Sequence, residues 1–205
     1  MPDHKPYHHG NLRQAVLAAS LDLIREKGIR AFTLREIARR ADVSHGAPYR
    51  HFRDKADLLA AIAEEGFNRL TEAMHCAAAK ATEPFPRLRN AGLAYIEFAQ
   101  SQPEHFQVMF TADLDETRHP SAKIAAKGCF AELRALVDAC LHAQRVKELT
   151  AEIAALLAWT HVHGVADLAL RGQLGFKNKK ELREFAKLAI DCFGRGCKLA
   201  EPNKH

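Results

Sequence analysis

The chain has 205 residues, 47% of them hydrophobic, and a formal net charge of +5, which suits one or two globular domains with a sizeable core. Its five cysteines form no Cys-x-x-Cys pair and no zinc spacing, and four lie in apolar helical patterns. This argues against a disulfide scaffold or a zinc site. There is also no signal peptide and no apolar run of membrane length. We therefore expect a cytoplasmic protein with no cofactor, no metal and no membrane partner.

The positive charge is concentrated near the N-terminus. Residues 1–58 contain 11 Lys/Arg and 7 Asp/Glu, whereas the rest of the chain contains 19 and 18. The same segment holds five of the 12 histidines. Local positive charge favours binding to a phosphate backbone, because binding releases counterions. Charge alone does not distinguish such a site from a mildly basic, solvated surface.

The first predicted element is a helix that begins near Asn11 and ends at Gly28. Its apolar residues recur at helical spacing, at Leu12, Val16, Ala19 and Leu23. Gly28 is suited to the left-handed residue that commonly ends a helix. The first ten residues are polar and contain two prolines, so we expect a loose arm before this helix.

Residues 33–55, TLREIARRADVSHGAPYRHFRDK, predict two short helices joined by a tight turn. Thr33 is a favourable N-cap, and Glu36 three residues later completes a capping box at the start of the first helix. Asp42 lies where the chain must turn, and aspartate tolerates the left-handed conformation better than most other residues. A helix-turn-helix of this kind places its second helix in the major groove of DNA.

The second of these helices is expected over Ser44–Phe52, with Ser44 as its N-cap. Pro48 lies at about the fourth helical position, where proline removes an amide donor and crowds the preceding turn. We therefore expect this helix to be distorted at Pro48. The plain alternative for the whole segment is a helical hairpin inside an ordinary bundle.

The segment from about His9 to Leu59 resembles the DNA-binding domain of the TetR family of one-component transcriptional repressors. The matching pieces are Lys27-Gly28, then TLREIARRADVS, then GAPYRHFRDKADLL. The resemblance implies an all-α fold of about nine helices. It places a three-helix helix-turn-helix DNA-binding domain over residues 1–58 and a helical effector-binding and dimerisation domain over residues 59–205.

The resemblance also assigns roles to individual residues. Tyr49, His51 and Lys55 would hold phosphates, and Arg35 would reach a base or a phosphate. The side chain of Ala47 is a candidate for contact with a thymine methyl group. The residues expected to contact a double-stranded DNA operator are Arg35, Ser44, His45, Gly46, Ala47, Tyr49, Arg50, His51 and Lys55.

Apolar spacing predicts six further helices in the rest of the chain. They are expected over residues 55–81, 87–100, 103–110, 121–142, 150–172 and 178–199, with a loop over 111–120. Pro84 and Pro86 are expected to break the chain before the helix at 87–100. Trp159, His163 and Gly164 resemble the Trp-His-Gly (WHG) signature of one subfamily of TetR-type C-terminal domains.

The last two helices are candidates for a dimer interface. The helix over 150–172 is apolar or small nearly all the way round, and the helix over 178–199 is apolar on more than one side. The resemblance implies a homodimer in which these helices form a four-helix bundle. Such a dimer would bind two DNA half-sites about 34 Å apart, or a multiple of that distance. The alternative is that both helices only close the core of the monomer.

Residues 59–205 also contain candidates for a ligand cavity. They are Phe98, Phe106, Met109, Phe110, Phe130, Trp159 and His163. Taken singly, each is better explained as ordinary core. His161 and His163 point about 200° apart on a helix, so they are poor partners for one metal, and we expect one of them beside Trp159. The set predicts a mainly apolar small-molecule effector with one polar group.

These features favour a dimeric, ligand-responsive repressor that binds a palindromic operator and is released by its effector. An enzyme is not expected, because the sequence suggests no aligned nucleophile and base and contains no His-Glu-x-x-His motif. The remaining alternative is a helical interaction module, or an activator, that retains the TetR scaffold. Pro48 is the best support for the loss of DNA binding.

Overall fold

The structure, a computed structural model, describes residues 9–112 and 117–200. Within this part of the chain it contains eight α-helices, one 3-10 helix and no strand. The α-helices are α1 (His9–Lys27), α2 (Leu34–Arg40), α3 (Lys55–Ala78), α4 (Pro84–Ser101), α5 (Pro103–Thr111), α6 (Pro120–Gln144), α7 (Ala151–Leu170) and α8 (Lys179–Gly196). The 3-10 helix is Pro48–Arg50. The expected all-α fold is confirmed, whereas most of the expected N-terminal arm lies outside the described residues.

Local sequence signals explain several helix ends. At the start of α2, the Thr33 side chain accepts a hydrogen bond from the Glu36 amide, and the Glu36 carboxylate accepts one from the Thr33 amide at 2.9 Å. At the start of α8, Asn178 accepts a hydrogen bond from the Glu181 amide at 2.9 Å. Gly28 follows α1 with φ of +79°, as expected for a glycine that ends a helix. The predicted capping box of Thr33 and Glu36 and the C-cap at Gly28 are therefore confirmed, while at α8 only the N-cap bond of Asn178 is present.

Helix α4 begins earlier than apolar spacing predicted. It starts at Pro84, which occupies the first helical position, rather than near Arg87. Proline is tolerated there because the amide it lacks would have no partner within the helix, and its fixed φ suits the helix. The expectation that Pro84 breaks the chain is wrong, since this proline begins the helix.

The chain divides into two compact units. The first comprises Met1–Glu65 and Glu104–Ala122, and the second comprises Gly66–Pro103 and Lys123–His205. Helix α3 therefore begins in the first unit and ends in the second. The sequence analysis assigned residues 104–122 to the C-terminal domain, whereas the structure groups this segment with the N-terminal helices.

The core of the first unit draws on the helix-turn-helix and on α5. Its most completely buried side chains include Val16, Ile24, Ile37, Leu58 and Ile62. Helix α5 contributes three more buried apolar side chains, those of Phe106, Val108 and Met109. The small N-terminal domain thus gains apolar burial from a segment about fifty residues further along the chain, and burial of this kind is the main stabilising contribution to a small fold.

In the second unit, α4, α7 and α8 pack together. Two glycines permit close approach. A Cβ atom at Gly92 on α4 would lie 3.0 Å from the Cδ1 atom of Ile190 on α8. A Cβ atom at Gly194 on α8 would overlap the ring of Phe85 on α4. A larger side chain at Gly194 would therefore have to displace that ring.

Helix α7 has the length and mean hydropathy, 1.4, of a membrane-spanning helix, although no such run was expected from the sequence. Its hydropathy comes from Ala, Leu and Val, while Glu152, Asp167 and two histidines interrupt the apolar residues. The Thr150 side chain caps its first turn. These polar residues and the packing of α7 on α4 and α8 are compatible with a helix inside a folded domain as much as with a membrane-spanning helix.

Candidate functional site

The segment after α2 does not form the α-helix expected over Ser44–Phe52. The chain turns at residues 45–46 and then forms the 3-10 helix Pro48–Arg50. The Ala47 amide donates to the Ser44 carbonyl at 2.9 Å, and the Arg50 amide donates to the Ala47 carbonyl at 3.2 Å. Both bonds reach back three residues, the 3-10 pattern. The distortion at Pro48 is thus confirmed, but the expected α-helix is wrong, because proline lacks the amide that an α-helix needs there.

The turn before this segment adopts the conformation that the sequence suggested. Asp42 has φ of +52°, in the left-handed region. The amide of Val43 donates to the carbonyl of Ala38 at 3.0 Å, which closes the end of α2. The helix-turn-helix therefore keeps its turn, while its second helix is reduced to one 3-10 turn.

Most of the residues expected to contact DNA are exposed. These are Arg35, Ser44, His45, Gly46, Tyr49, Arg50 and His51. Tyr49 is 52% exposed, which is unusual for an aromatic side chain with no apolar partner surface. The consecutive exposed side chains of Tyr49, Arg50 and His51 offer hydrogen-bond donors of the kind that bind phosphate oxygens.

Two of the expected residues are placed differently. Ala47 is only 6% exposed, which weighs against contact between its methyl group and a thymine. The Lys55 ammonium donates to the carbonyl of Arg30 at 3.1 Å and of Phe32 at 3.0 Å. It also lies 3.9 Å from the centroid of the Phe32 ring, and burial lowers the pKa of Lys55. Lys55 therefore ties the start of α3 to the loop between α1 and α2, and its contact with phosphate stays a prediction.

An ionic cluster centred on Asp57 follows the 3-10 helix. The Asp57 carboxylate accepts from the Arg53 side chain at 2.8 Å, from Arg118 at 2.9 Å and from His119 at 3.1 Å. Arg118 also donates to Asp54. The pKa of Asp57 lies well below its usual range despite partial burial. The largest cause is the hydrogen bond from the Arg53 side chain, followed by those from the Arg53 backbone and His119 and by the charge of Arg118. The cluster connects the end of the DNA-binding segment to the residues just before α6.

Helix α1 forms two ion pairs with other parts of the first unit. Arg25 donates to Glu104 on α5 at 2.6 Å, and the Glu104 side chain is largely buried. Arg40 on α2 donates two hydrogen bonds to the Glu26 carboxylate, at 2.8 and 2.6 Å. The bidentate geometry fixes the orientation of α2 more firmly than a single contact would.

The second unit contains an apolar cavity of about 30 Å³, room for roughly one water molecule. Its lining includes Phe85, Leu88, Tyr95, Leu133, His161 and Phe193. The His161 ring stacks on Phe193, with 5.0 Å between ring centroids and 19° between planes. The Nε2 atom of His161 is buried without a hydrogen-bond partner among the described residues.

Tyr95 links the cavity wall to the second histidine of α7. Its hydroxyl oxygen accepts from the Trp159 indole at 3.3 Å and lies 2.8 Å from Nδ1 of His163. Because Trp159 donates to the oxygen, the hydroxyl hydrogen remains available for Nδ1. Burial lowers the pKa of His163 and raises that of Tyr95, so both groups are held neutral at pH 7. The expectation that one histidine lies beside Trp159 is confirmed.

The seven residues proposed as ligand contacts are divided between the units. Phe98, Phe130, Trp159 and His163 lie in the second unit, and Phe106, Met109 and Phe110 lie in the first. All seven are described residues, and none of them lines the cavity near His161. Their role in ligand binding stays a prediction, while the cavity points to other side chains. No pattern along the chain pairs His161 with Phe193, so the sequence alone gave no signal for this site.

Comparisons with known families cover most of the chain. Residues 16–62 match the family described as bacterial regulatory proteins, tetR family. Residues 88–193, just over half of the chain, match the family described as tetracyclin repressor-like, C-terminal domain. Neither description names a Trp-His-Gly subfamily, so that resemblance stays a prediction.

Individual relatives agree with these matches. The chain is 26% identical over 148 residues to the HTH-type transcriptional activator FasR of Mycolicibacterium smegmatis, covering 70% of this chain and 68% of FasR. It is 39% identical over 61 residues to the HTH-type transcriptional repressor Rv3405c of Mycobacterium tuberculosis, covering 30% and 32% of the two chains. A solved structure of a protein of unknown function from Rhodococcus sp. RHA1 has 33% identity and a TM-score of 0.81, covering 94% and 98%. With both of its domains matched, the chain belongs to the TetR family of bacterial transcriptional regulators.

Proposed function

We propose that the protein is a homodimeric repressor that binds a palindromic DNA operator through its N-terminal unit. A small, largely apolar effector binds within residues 59–205 and favours a state that no longer fits the operator. The proposal is one of regulation rather than catalysis, since both family matches are to regulators. The observation that carries it is an unpartnered apolar surface on the last two helices.

Helix α7 exposes apolar side chains along one face. Ile153, Leu157 and Leu168 are exposed at spacings of four and eleven residues, which place them on the same side of the helix. Gly164 lies between them, and a Cβ atom there would meet nothing within 4 Å. Packing within one chain therefore does not require glycine at this position. In a dimer, glycine would let a second helix approach closely.

Helix α8 also exposes apolar side chains. Phe185 and Leu188 are exposed, and Leu188 is 59% accessible. Soluble monomers rarely leave large contiguous apolar patches in water. A second copy of the chain that covers α7 and α8 would bury these residues in a four-helix bundle. It would also account for the high hydropathy of α7 without a membrane, and so supports a cytoplasmic protein.

The DNA-binding part of the proposal rests on the exposed segment around the 3-10 helix. Tyr49, Arg50 and His51 are the proposed phosphate contacts, with Arg35, Ser44 and His45 available for base edges and Gly46 allowing close approach. One such segment presents few specific groups, so specific binding needs two copies acting on two half-sites. Dimerisation and DNA binding are thus parts of one proposal.

The test is a gel-shift titration of the purified protein against the DNA that flanks its own gene, combined with analytical ultracentrifugation. We expect a dimer at micromolar concentration, with DNA affinity that falls steeply as salt rises. A monomer at those concentrations, or a protein that ignores duplex DNA at low salt, contradicts the proposal.

A helical interaction module that has lost DNA binding is the second candidate. The reduction of the second helix to the 3-10 turn Pro48–Arg50 favours it. The same titration separates the two, because the module would bind no duplex. Among the relatives, one is named as an activator and one as a repressor. A reporter gene under the operator, with and without the regulator, decides between repression and activation.

A further inference from the structure

The side chains that line the cavity of the second unit are apolar except for His161 and Tyr95. The imidazole Nε2 is buried and has no hydrogen-bond partner among the described residues. Buried polar atoms without partners are rare, because each one loses its bonds to water and gains nothing in return. A single trapped water is a poor solution, since a buried water needs two to four polar partners. The Tyr95 hydroxyl, which also belongs to the wall, is already engaged with Trp159 and His163.

His163, two residues further along α7, provides a contrast. Its Nδ1 atom lies 2.8 Å from the Tyr95 hydroxyl, and its ring meets Trp159 edge-on at 5.8 Å between centroids. It is absent from the wall of the cavity. One histidine of this helix is therefore bonded within the protein, while the other lines the cavity and has a buried nitrogen with no partner among the described residues.

We propose that the effector is a hydrocarbon monocarboxylate whose carboxyl group binds Nε2 of His161, while its apolar part lies against Phe85, Leu88 and Leu133. This inference rests on the proposed effector role of the second unit. A carboxyl group complements imidazole in either protonation state: ionised, it accepts from an Nε2–H group, and protonated, it donates to a bare Nε2. In the ionised case the bond is charge-assisted and is stronger than a bond to an alcohol or an ester. No Lys or Arg is among the described side chains of the wall, so a multiply charged phosphate would lack counter-charge.

The cavity is too small for such an acid, and this determines which side chains must move when the acid binds. A volume of about 30 Å³ does not hold such an acid, so binding must displace side chains. Phe85 packs directly against Gly194 of α8, and Phe193 of the same helix covers His161. Either ring can make room only by moving relative to α8. The helix that responds to the ligand is therefore the one that carries the exposed residues Phe185 and Leu188.

The experiment is isothermal titration calorimetry on the full-length protein. The probes are the linear acids from butanoate to dodecanoate and phenylacetate, each compared with its alcohol and methyl ester. We expect the best acid to bind at least about 10-fold more tightly than its alcohol, as a charge-assisted bond in a buried site implies. His161→Leu should reduce this ratio to about one, and His161→Gln, which keeps a polar group, should retain part of it.

His142→Gln is the control, because it changes an exposed histidine of α6 outside the wall and should leave the acid-to-alcohol ratio unchanged. Circular dichroism establishes whether each variant is folded. If His161→Leu does not fold, the comparison uses His161→Gln alone. The inference is overturned if no acid binds, or if both His161 variants keep the full preference for acids. Repeating the DNA titration with the best acid separates the two proposals. An acid that binds through His161 but leaves DNA affinity unchanged contradicts ligand-responsive repression and leaves the His161 site standing.

Discussion

The two units of the protein rely on different interactions. In the first, polar contacts join distant segments, as in the Asp57 cluster and the pair of Arg25 with Glu104. In the second, apolar packing dominates, with the polar side chains of Tyr95, Trp159 and His163 bonded to one another and with exposed ion pairs such as that of Arg183 with Glu97. The difference teaches that salt should act mainly on the DNA-binding end, whereas changes of side-chain volume and apolar surface should act mainly on the C-terminal helices.

The largest effect is expected at the apolar surface of α8. Leu188→Arg places a charge in the proposed interface, and two-fold symmetry introduces it twice. We expect the dissociation constant of the dimer to rise at least about 100-fold, since burying an unpaired charge is costly. Sedimentation equilibrium measures it. Ile124→Arg is the control, because Ile124 is 70% exposed but lies on α6. Equal behaviour of the two variants would remove the case for an interface on α8.

The next effect is expected at the Asp57 cluster. Asp57→Asn removes the charge that Arg53, Arg118 and His119 share, and should lower the free energy of unfolding by about 1–3 kcal/mol. Asp167→Asn is the control, since the Asp167 side chain is 39% exposed and pairs with Arg171 four residues further along the chain. Its expected cost is at most about 0.5 kcal/mol. Urea titration followed by circular dichroism compares them, and similar losses would mean that the cluster has no special role.

A smaller effect is expected from the cationic side chains near the DNA-binding segment, where Arg50 should contribute to DNA binding and Lys55 to stability. Arg50→Ala should weaken binding to all DNA sequences and reduce the salt slope by about one, with little change in stability. Lys55→Ala should instead lower stability by about 1 kcal/mol, because its ammonium bonds two backbone carbonyls. Gel-shift titrations at several salt concentrations, together with urea titrations, measure both. A reduced salt slope for Lys55→Ala without loss of stability would restore its expected role as a phosphate contact.

The smallest effect is a pair of acid transitions at different pH. The lowered pKa of His163 means that its stabilising contribution is present above the unfolded value, about 6.5, and is lost as pH falls below it. Because the pKa of Asp57 is lowered, its contribution to the free energy of unfolding is fully present above about pH 4. That contribution is lost only in stronger acid. Trp159, the single tryptophan, reports the first loss by its fluorescence. His163→Gln should remove the loss near pH 6 and keep the one in stronger acid, and the reverse outcome would reject this assignment.

Sequence reasoning succeeded where the deciding interactions are local. The capping box of Thr33 and Glu36 spans three residues, and the helix end at Gly28 depends on one backbone conformation. The resemblance to the family then supplied the fold. The same reasoning recognised that Pro48 distorts the second helix but not how far. The missing amide of Pro48 disfavours α-helical hydrogen bonding, but whether the segment then forms a 3-10 helix also depends on the turns beside it.

Contacts between distant segments could not be predicted in the same way. Arg118 lies 61 residues from Asp57, and no spacing rule connects them. The stacking of His161 on Phe193 depends on the angle at which α7 and α8 pack. Aromatic residues chosen by type alone therefore missed the cavity, because side-chain direction on a packed helix decides which of them face it.

The short 3-10 turn at Pro48–Arg50 has a consequence for the operator. A single turn presents fewer side chains to the base edges of the major groove than a full recognition helix does, so sequence must be read largely through groove width and duplex stiffness. Operators of this regulator should then tolerate base changes within a half-site more readily than the insertion or deletion of one base pair between half-sites. A binding-site selection from random DNA would show this as weak base preferences at a sharply fixed spacing.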